Sequence, residues 1–378
     1  MPLRELISRN LHDLRTRTDE QARASLLLET LPVREWPRRI ATDHCLQTDG
    51  ALTDILDRAT RELYRNAKTG LRVIDAVLAL PIDDVVIRAR ALRLRATALH
   101  LRGDGTAARQ AIGDALLVLG EDPAATLERL HARLYLAYLR NETAEIDVSL
   151  EVKLIAKAFA QHGDAKGALH ARLMEATILF DRDDVPRAMA VFKDAVRIAE
   201  GLGDDLQQAI ALANLGHCAQ QLAARAHEQG TELRARAYAE EALSYFARAT
   251  PRYAALGMDA ESQKIVWAIA GIAKQRGNLH EAREQLLTVR EDLLQRGMFL
   301  AAALVALDLM ELLVMLNRQD LVRDWYNEVE ETFTRAGMPR YAIDALQHIH
   351  QVAVEQPIDA PLLASVRATV RERFRTAA

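Results

Sequence analysis

Between Leu169 and Leu202 the apolar positions fall at helical spacing in two blocks. Ala176 and Leu179 stripe the first block, Ala188, Phe192 and Ala195 stripe the second, and the charged run from Asp181 to Pro186 separates them. Small residues seven apart with a large one between them let two antiparallel helices approach closely while the large side chain fills the gap. The same pair of blocks recurs along the chain. A small or apolar residue opens the second block at Ala108, Val148, Ala188, Ala242, Ala282 and Val322, always 40 residues on except for one interval of 54. Glycines at 163, 203, 257, 297 and 337 close charged, helix-like segments on the same beat, with the same single interval of 54. Two registers that share one excess of 14 residues (54 − 40) predict a stack of helix pairs, each packed only on its neighbours.

The matching positions resemble the tetratricopeptide repeat (TPR), whose pattern sets a small residue in the first helix against alanine, a large apolar residue and alanine in the second. Leu215, Gly216, Ala242, Phe246 and Ala249 fill these slots in one unit, Ile269, Ala270, Ala282, Leu286 and Val289 in the next, and Leu309, Met310, Val322, Tyr326 and Val329 in the one after. Upstream, Ala96, Ala108, Ile112 and Ala115 match well, whereas Val148, Val152 and Ile155 are β-branched where alanine is usual. The unit from Leu52 to Leu80 is read from Gly70, Ile74 and Val77. The 40-residue period exceeds the 34 of the family, as in the long-period variant of many bacterial regulatory and adaptor proteins. The resemblance implies an all-α, right-handed α-solenoid of about seven helix pairs over residues 51–337. It implies capping helices over 1–50 and a capping pair over 338–378, where Arg367, Arg371, Arg373 and Arg375 supply a polar outer face.

The excess residues lie between Gly216 and Ala242. The sequence stays helical on both sides of Gln229, Gly230 and Thr231, with Gly230 suited to the turn and Thr231 to capping the second helix. Split evenly, the excess lengthens each helix by about two turns, roughly 10 Å, so residues 217–241 are expected to form a helical hairpin outside the main stack.

Composition narrows the class. The chain has 378 residues, half of them hydrophobic and 5% aromatic, which is the balance of helices rather than strands. Its 49 basic and 53 acidic residues are mixed along the chain, so neither nucleic acid nor an acidic membrane is indicated as a partner. Cys45 and Cys218 lack metal or disulfide spacing, which favours a reduced, cytoplasmic setting. The most hydrophobic stretch, Met298 to Leu316, contains Asp308 and Glu311 and occupies a first-helix slot, so it is expected to be a buried helix rather than a membrane span.

Catalytic and cofactor motifs are missing: no GxGxxG, P-loop, GxSxG or HExxH is present. His348 and His350 point apart on a helix, adjacent Asp43, His44 and Cys45 do not converge, and Asp181, Asp183 and Asp184 read as a cap for the following helix rather than a calcium loop. No catalytic, metal or cofactor residue is assigned. In the TPR family the first helices line a concave groove, and the resemblance places Arg90, Arg93 and His100, then Arg133 and Arg140, His170 and Thr177, Ala213, His217 and Gln220, and Lys264, Trp267 and Lys274 along it. Asp308 and Glu311 stand at its acidic end. The expected function is a non-enzymatic scaffold or adaptor whose groove takes an acidic peptide or helix of a partner, the alternative being a regulatory sensor subunit for a signalling protein, protease or transcription factor. Exposed arginines contribute little to stability, so reversing Arg93 and Arg133 is expected to leave the fold untouched.

Overall fold

The computed structural model describes residues 3–316 apart from 103, 143–146 and 297, together with 318, 325, 328 and 331. Every regular element among them is helical. After α1 (Leu3–Glu29) and α2 (Trp36–Thr42) come six pairs: α3 (Asp49–Arg65) with α4 (Ala67–Leu78), α5 (Val85–Leu101) with α6 (Gly105–Leu119), α7 (Thr126–Glu142) with α8 (Ser149–Gln161), α9 (Ala165–Asp181) with α10 (Val185–Leu202), α11 (Asp205–Glu228) with α12 (Glu232–Ala255), and α13 (Asp259–Gln275) with α14 (Leu279–Gln295). A further first helix, α15 (Phe299–Met315), follows. The helix partnering α15, the glycines at 297 and 337, the two histidines at 348 and 350, and the C-terminal pair expected over 338–378 lie outside the described residues. The described residues form two compact units, one ending at Ala168 and one beginning at Leu169, with the division inside α9.

Each repeat begins and ends for local reasons. Asp84, Asp104, Asp164 and Asp204 accept backbone N–H bonds from the first turn of the helix that follows, which supplies acceptors the helix itself lacks. At the other end, Gly163, Gly203, Gly257 and Gly277 take positive φ, and the two N–H groups at each turn bond back to the last helical carbonyls. Asp183 has the same backbone conformation, φ 70°, and the same pair of return bonds, although an L side chain rarely adopts it.

The small and large positions interlock as their spacing predicts. Ala108, Ala188, Ala242 and Ala282 are fully buried, and so are Phe159, Phe192 and Phe246 within rounding. A methyl group on Gly216 would come within 2.4 Å of the Phe246 ring, and one on Gly167 within 2.4 Å of Phe159, so both glycines exist to admit a ring. Pro37 is the second residue of α2. It sits in the first turn of α2, where a missing N–H costs nothing.

α11 and α12 have 24 residues each, seven more than the 17 of α13 and of α14. Ala223, Ala226, Ala235 and Ala239 are buried in the added turns, and Gly230 makes the turn at φ 70°. Two details differ from the sequence reading. Thr231 stands at the N-cap of α12 but gives no capping bond, because its hydroxyl donates back to the Ala226 carbonyl at 2.8 Å. The hairpin is also braced: Gln221 and Arg225 of α11 bond the Asp183 carboxylate, while Glu240 of α12 bonds Arg276 of α13 at 2.6 Å. Asp183 is therefore a strut and not a cap, and Asp184, at the N-cap of α10, pairs with Arg187 instead of capping.

Candidate ligand-binding surface

Successive first helices are tied to one another by polar side chains about one repeat apart in sequence. In the first unit Arg90 of α5 pairs with Asp57 of α3, and Arg93 of α5 clamps Glu128 of α7 through Nε at 2.5 Å and Nη2 at 3.3 Å. The Tyr138 hydroxyl meets His100 Nε2 at 3.4 Å with the rings edge to face. Arg133 and Arg140 of α7 both reach Glu151 of α8, at 3.2 and 3.6 Å. All four arginines expected to grip an acidic ligand thus already hold a carboxylate of this chain.

The Arg93 and Glu128 pair is largely enclosed, with side chains 19% and 8% exposed. Reversing Arg93 would set a carboxylate against the buried Glu128, so the expectation that such a change leaves stability untouched is corrected. Beside the pair, His131 contacts Asp164 Oδ2 at 3.2 Å and packs on Phe159. Burial first, and the Arg93 guanidinium second, hold its imidazole below the usual histidine range. Position counting missed His131 and Glu128 because nothing local marks them; their partners are 33 and 35 residues away.

In the second unit the outcome is different. His217, Gln220, Lys264, Trp267 and Lys274, five of the thirteen residues that the resemblance places along the groove, line one cavity of about 280 Å³ with Gly271 and Asp308. His170 stands half-buried on α9 and does not line it. Lys264, Trp267, Gly271 and Lys274 recur at three- and four-residue steps on one face of α13, spanning about 15 Å. Trp267 Nε1 donates to Asp308 Oδ2 at 2.6 Å, which fixes the ring against a carboxylate only 5% exposed. Lys274 is bonded to Glu311 at 2.9 Å, each less than a fifth exposed, whereas Lys264 is 41% exposed and paired with Glu261 one turn back on its own helix. The opposite wall is α11, where the Gln220 amide donates to the Ala268 carbonyl at 2.9 Å and the His217 ring meets Phe246 edge-on. Burial lowers the His217 pKa, so the ring is neutral at neutral pH.

Among the described residues no group of three or more His, Cys, Asp or Glu side chains is placed to hold a metal ion, and no helix is long and apolar enough to cross a membrane. Asp43 caps the short turn after α2 by accepting from the Cys45 N–H, and His44 bonds Gln47. Cys218 is buried and its thiol is pushed up to about 12, so it is chemically inert.

No protein-family model matches the sequence, and a search of curated proteins finds no match. Solved structures do share the fold. A Rap protein complexed with competence and sporulation factor aligns with a TM-score of 0.56 at 12% identity, over 96% of this chain and 99% of that one. A signal transduction ATPase with numerous domains from Pyrococcus horikoshii, which carries a tetratricopeptide repeat sensor, aligns with a TM-score of 0.58 at 12% identity, over 95% of this chain. The match spans 55% of that second protein. The chain has a TPR-like helical repeat fold. Within this TPR-like fold the second unit holds both the lengthened α11–α12 hairpin and the cavity beside Trp267, one wall of which is α11.

Proposed function

We propose that this TPR-like chain is a non-enzymatic protein-interaction scaffold or adaptor, and that a segment of a partner protein lies on the first-helix surface of the second unit. The observation that carries the reading is the cavity where Trp267, Lys264, Lys274 and His217 converge between α11, α13 and α15. A tryptophan beside exchangeable charge in a recess is the usual makeup of a binding hot spot. The partner segment carries an acidic residue, because Lys264 is the exposed cation at this recess and its own partner is a weak, same-helix one. The arginines of the first unit are assigned a different role: Arg90 and Arg93 tie one repeat to the next, and Arg133 and Arg140 tie α7 to α8 within a repeat. A regulatory sensor subunit is the second reading, supported by the tetratricopeptide repeat sensor named in one structural neighbour; it uses the same surface. A cytoplasmic setting is in keeping with the two free cysteines.

The test is site-specific photo-crosslinking from position 261 in cells, one turn from Lys264, with position 283 on the exposed side of α14 as control. A discrete crosslinked protein from position 261, absent from position 283 and abolished by Trp267→Ala, is the expected result. Equal crosslinking from both positions, or crosslinking that survives Trp267→Ala, would reject this surface as the interaction site.

A further inference from the structure

The cavity beside Trp267 is smaller than a groove for a peptide needs to be. At about 280 Å³ it lies just below the usual range for small-molecule sites, room for one ring-sized group. Its lining is mixed: Ala268, Ala270 and Leu286 are apolar, and the Trp267 ring is locked by its bond to Asp308.

Gly271 forms part of the cavity wall. A glycine inside a helix costs about 1 kcal/mol relative to alanine, so it calls for a reason. Here the backbone is helical, with no positive φ, and an added methyl would come within 2.8 Å of the Gln220 amide nitrogen, which is bonded to the Ala268 carbonyl. Gly216 and Gly167 each admit an aromatic ring; Gly271 admits the Gln220 amide. With no side chain at 271, that amide and the bare helix backbone together face the cavity.

The charges sort themselves by how easily they exchange partners. Asp308 is held by the indole N–H, and Lys274 by Glu311 in a pair mostly shielded from water. His217 is neutral through burial. Lys264 is bonded to Glu261, three residues back on its own helix, in a half-buried pair 41% and 26% exposed, the least enclosed of these, which a ligand carboxylate displaces at modest cost.

We propose that this cavity binds an aromatic carboxylic acid, its ring seated over Gly271 beside Trp267 and its carboxylate on Lys264. The inference rests on the reading of this surface as ligand-facing and adds the chemistry of the ligand. Two sources carry that chemistry, a free small acid and a protein C-terminus ending in an aromatic residue.

The experiment follows the Trp267 indole N–H resonance of the full chain, assigned by its loss in Trp267→Phe, during titration with four probes. These are phenylacetate, phenylacetamide, the peptide Gly-Gly-Gly-Phe with a free C-terminus, and its C-terminal amide. The acids should shift the resonance saturably and bind at least about tenfold more tightly than the amides. Lys264→Gln should bring each acid to the level of its amide, and Gly271→Leu should abolish binding, with Gly271→Ala as a milder variant that weakens it if the larger side chain disturbs the helix. Tighter binding of the peptide assigns the ligand to a protein C-terminus; tighter binding of phenylacetate assigns it to a free small molecule. An unmoved resonance, equal binding of acid and amide, or binding indifferent to both Gly271 variants overturns the proposal. The probes need no partner protein, so a silent titration with crosslinking from position 261 intact defeats this inference alone, and the reverse pattern defeats only the partner assignment.

Discussion

Arg93 and Lys264 are both cations on first helices, picked out by the same positional rule, and the two units put them to opposite use. Arg93 spans to the next first helix and clamps Glu128, a carboxylate 8% exposed, through two nitrogens. Lys264 reaches only back to Glu261 and remains 41% exposed at the edge of a cavity. The difference lies in what the neighbouring helix offers. α7 presents a buried carboxylate opposite Arg93, while α11 presents the Gln220 amide and the His217 ring, neither of which neutralises an ammonium. A cation on this face is structural where a neighbour answers it and available where none does.

Removing the partner from the enclosed pair should have the largest effect. Glu128→Ala strands the Arg93 guanidinium and is expected to cost about 3 kcal/mol in denaturant-induced unfolding, whereas Lys264→Ala should cost at most about 0.5 kcal/mol. Equal, small losses at both positions would erase the contrast between the two surfaces.

Glycines sharpen it next. Gly216→Ala drives a methyl into the Phe246 ring and should destabilise by about 1–3 kcal/mol, while Gly271→Ala displaces only the Gln220 amide from its bond to Ala268, a loss that helix propensity offsets to within about 1 kcal/mol of neutral. A loss in Gly271→Ala as large as that in Gly216→Ala would erase this second contrast.

The smallest effect is in the response to acid. Burial, reinforced by Arg93, lowers the His131 pKa below the 6.5 of an unstructured histidine. Above that value both folded and unfolded chains carry a neutral ring and the full stability is present. As pH falls through 6.5 toward the folded value, the unfolded chain takes up the proton first and stability drops, by at most about 1.4 kcal/mol per pH unit for one group. His131→Gln should therefore flatten the decline of melting temperature on acidification. An unchanged slope would show that His131 titrates alike in both states.

What the amino-acid order determined by itself is the architecture. The 40-residue beat of Ala108, Val148 and Ala188, and the glycines that end the helices, depend on helical periodicity and backbone conformation, which are local, so they survive in any correct packing of the chain. The length of the α11–α12 hairpin followed from the same arithmetic. What only the tertiary structure decided is which polar side chains meet. Whether Arg93 lands on Glu128, or Trp267 on Asp308 some 41 residues on, depends on the rotation and stagger of one helix against the next, and a shift of one residue turns a side chain through 100°. The positional rule therefore brought five residues to one cavity and gave four arginines to internal carboxylates, because it specifies the face of a helix but says nothing of what the facing helix presents.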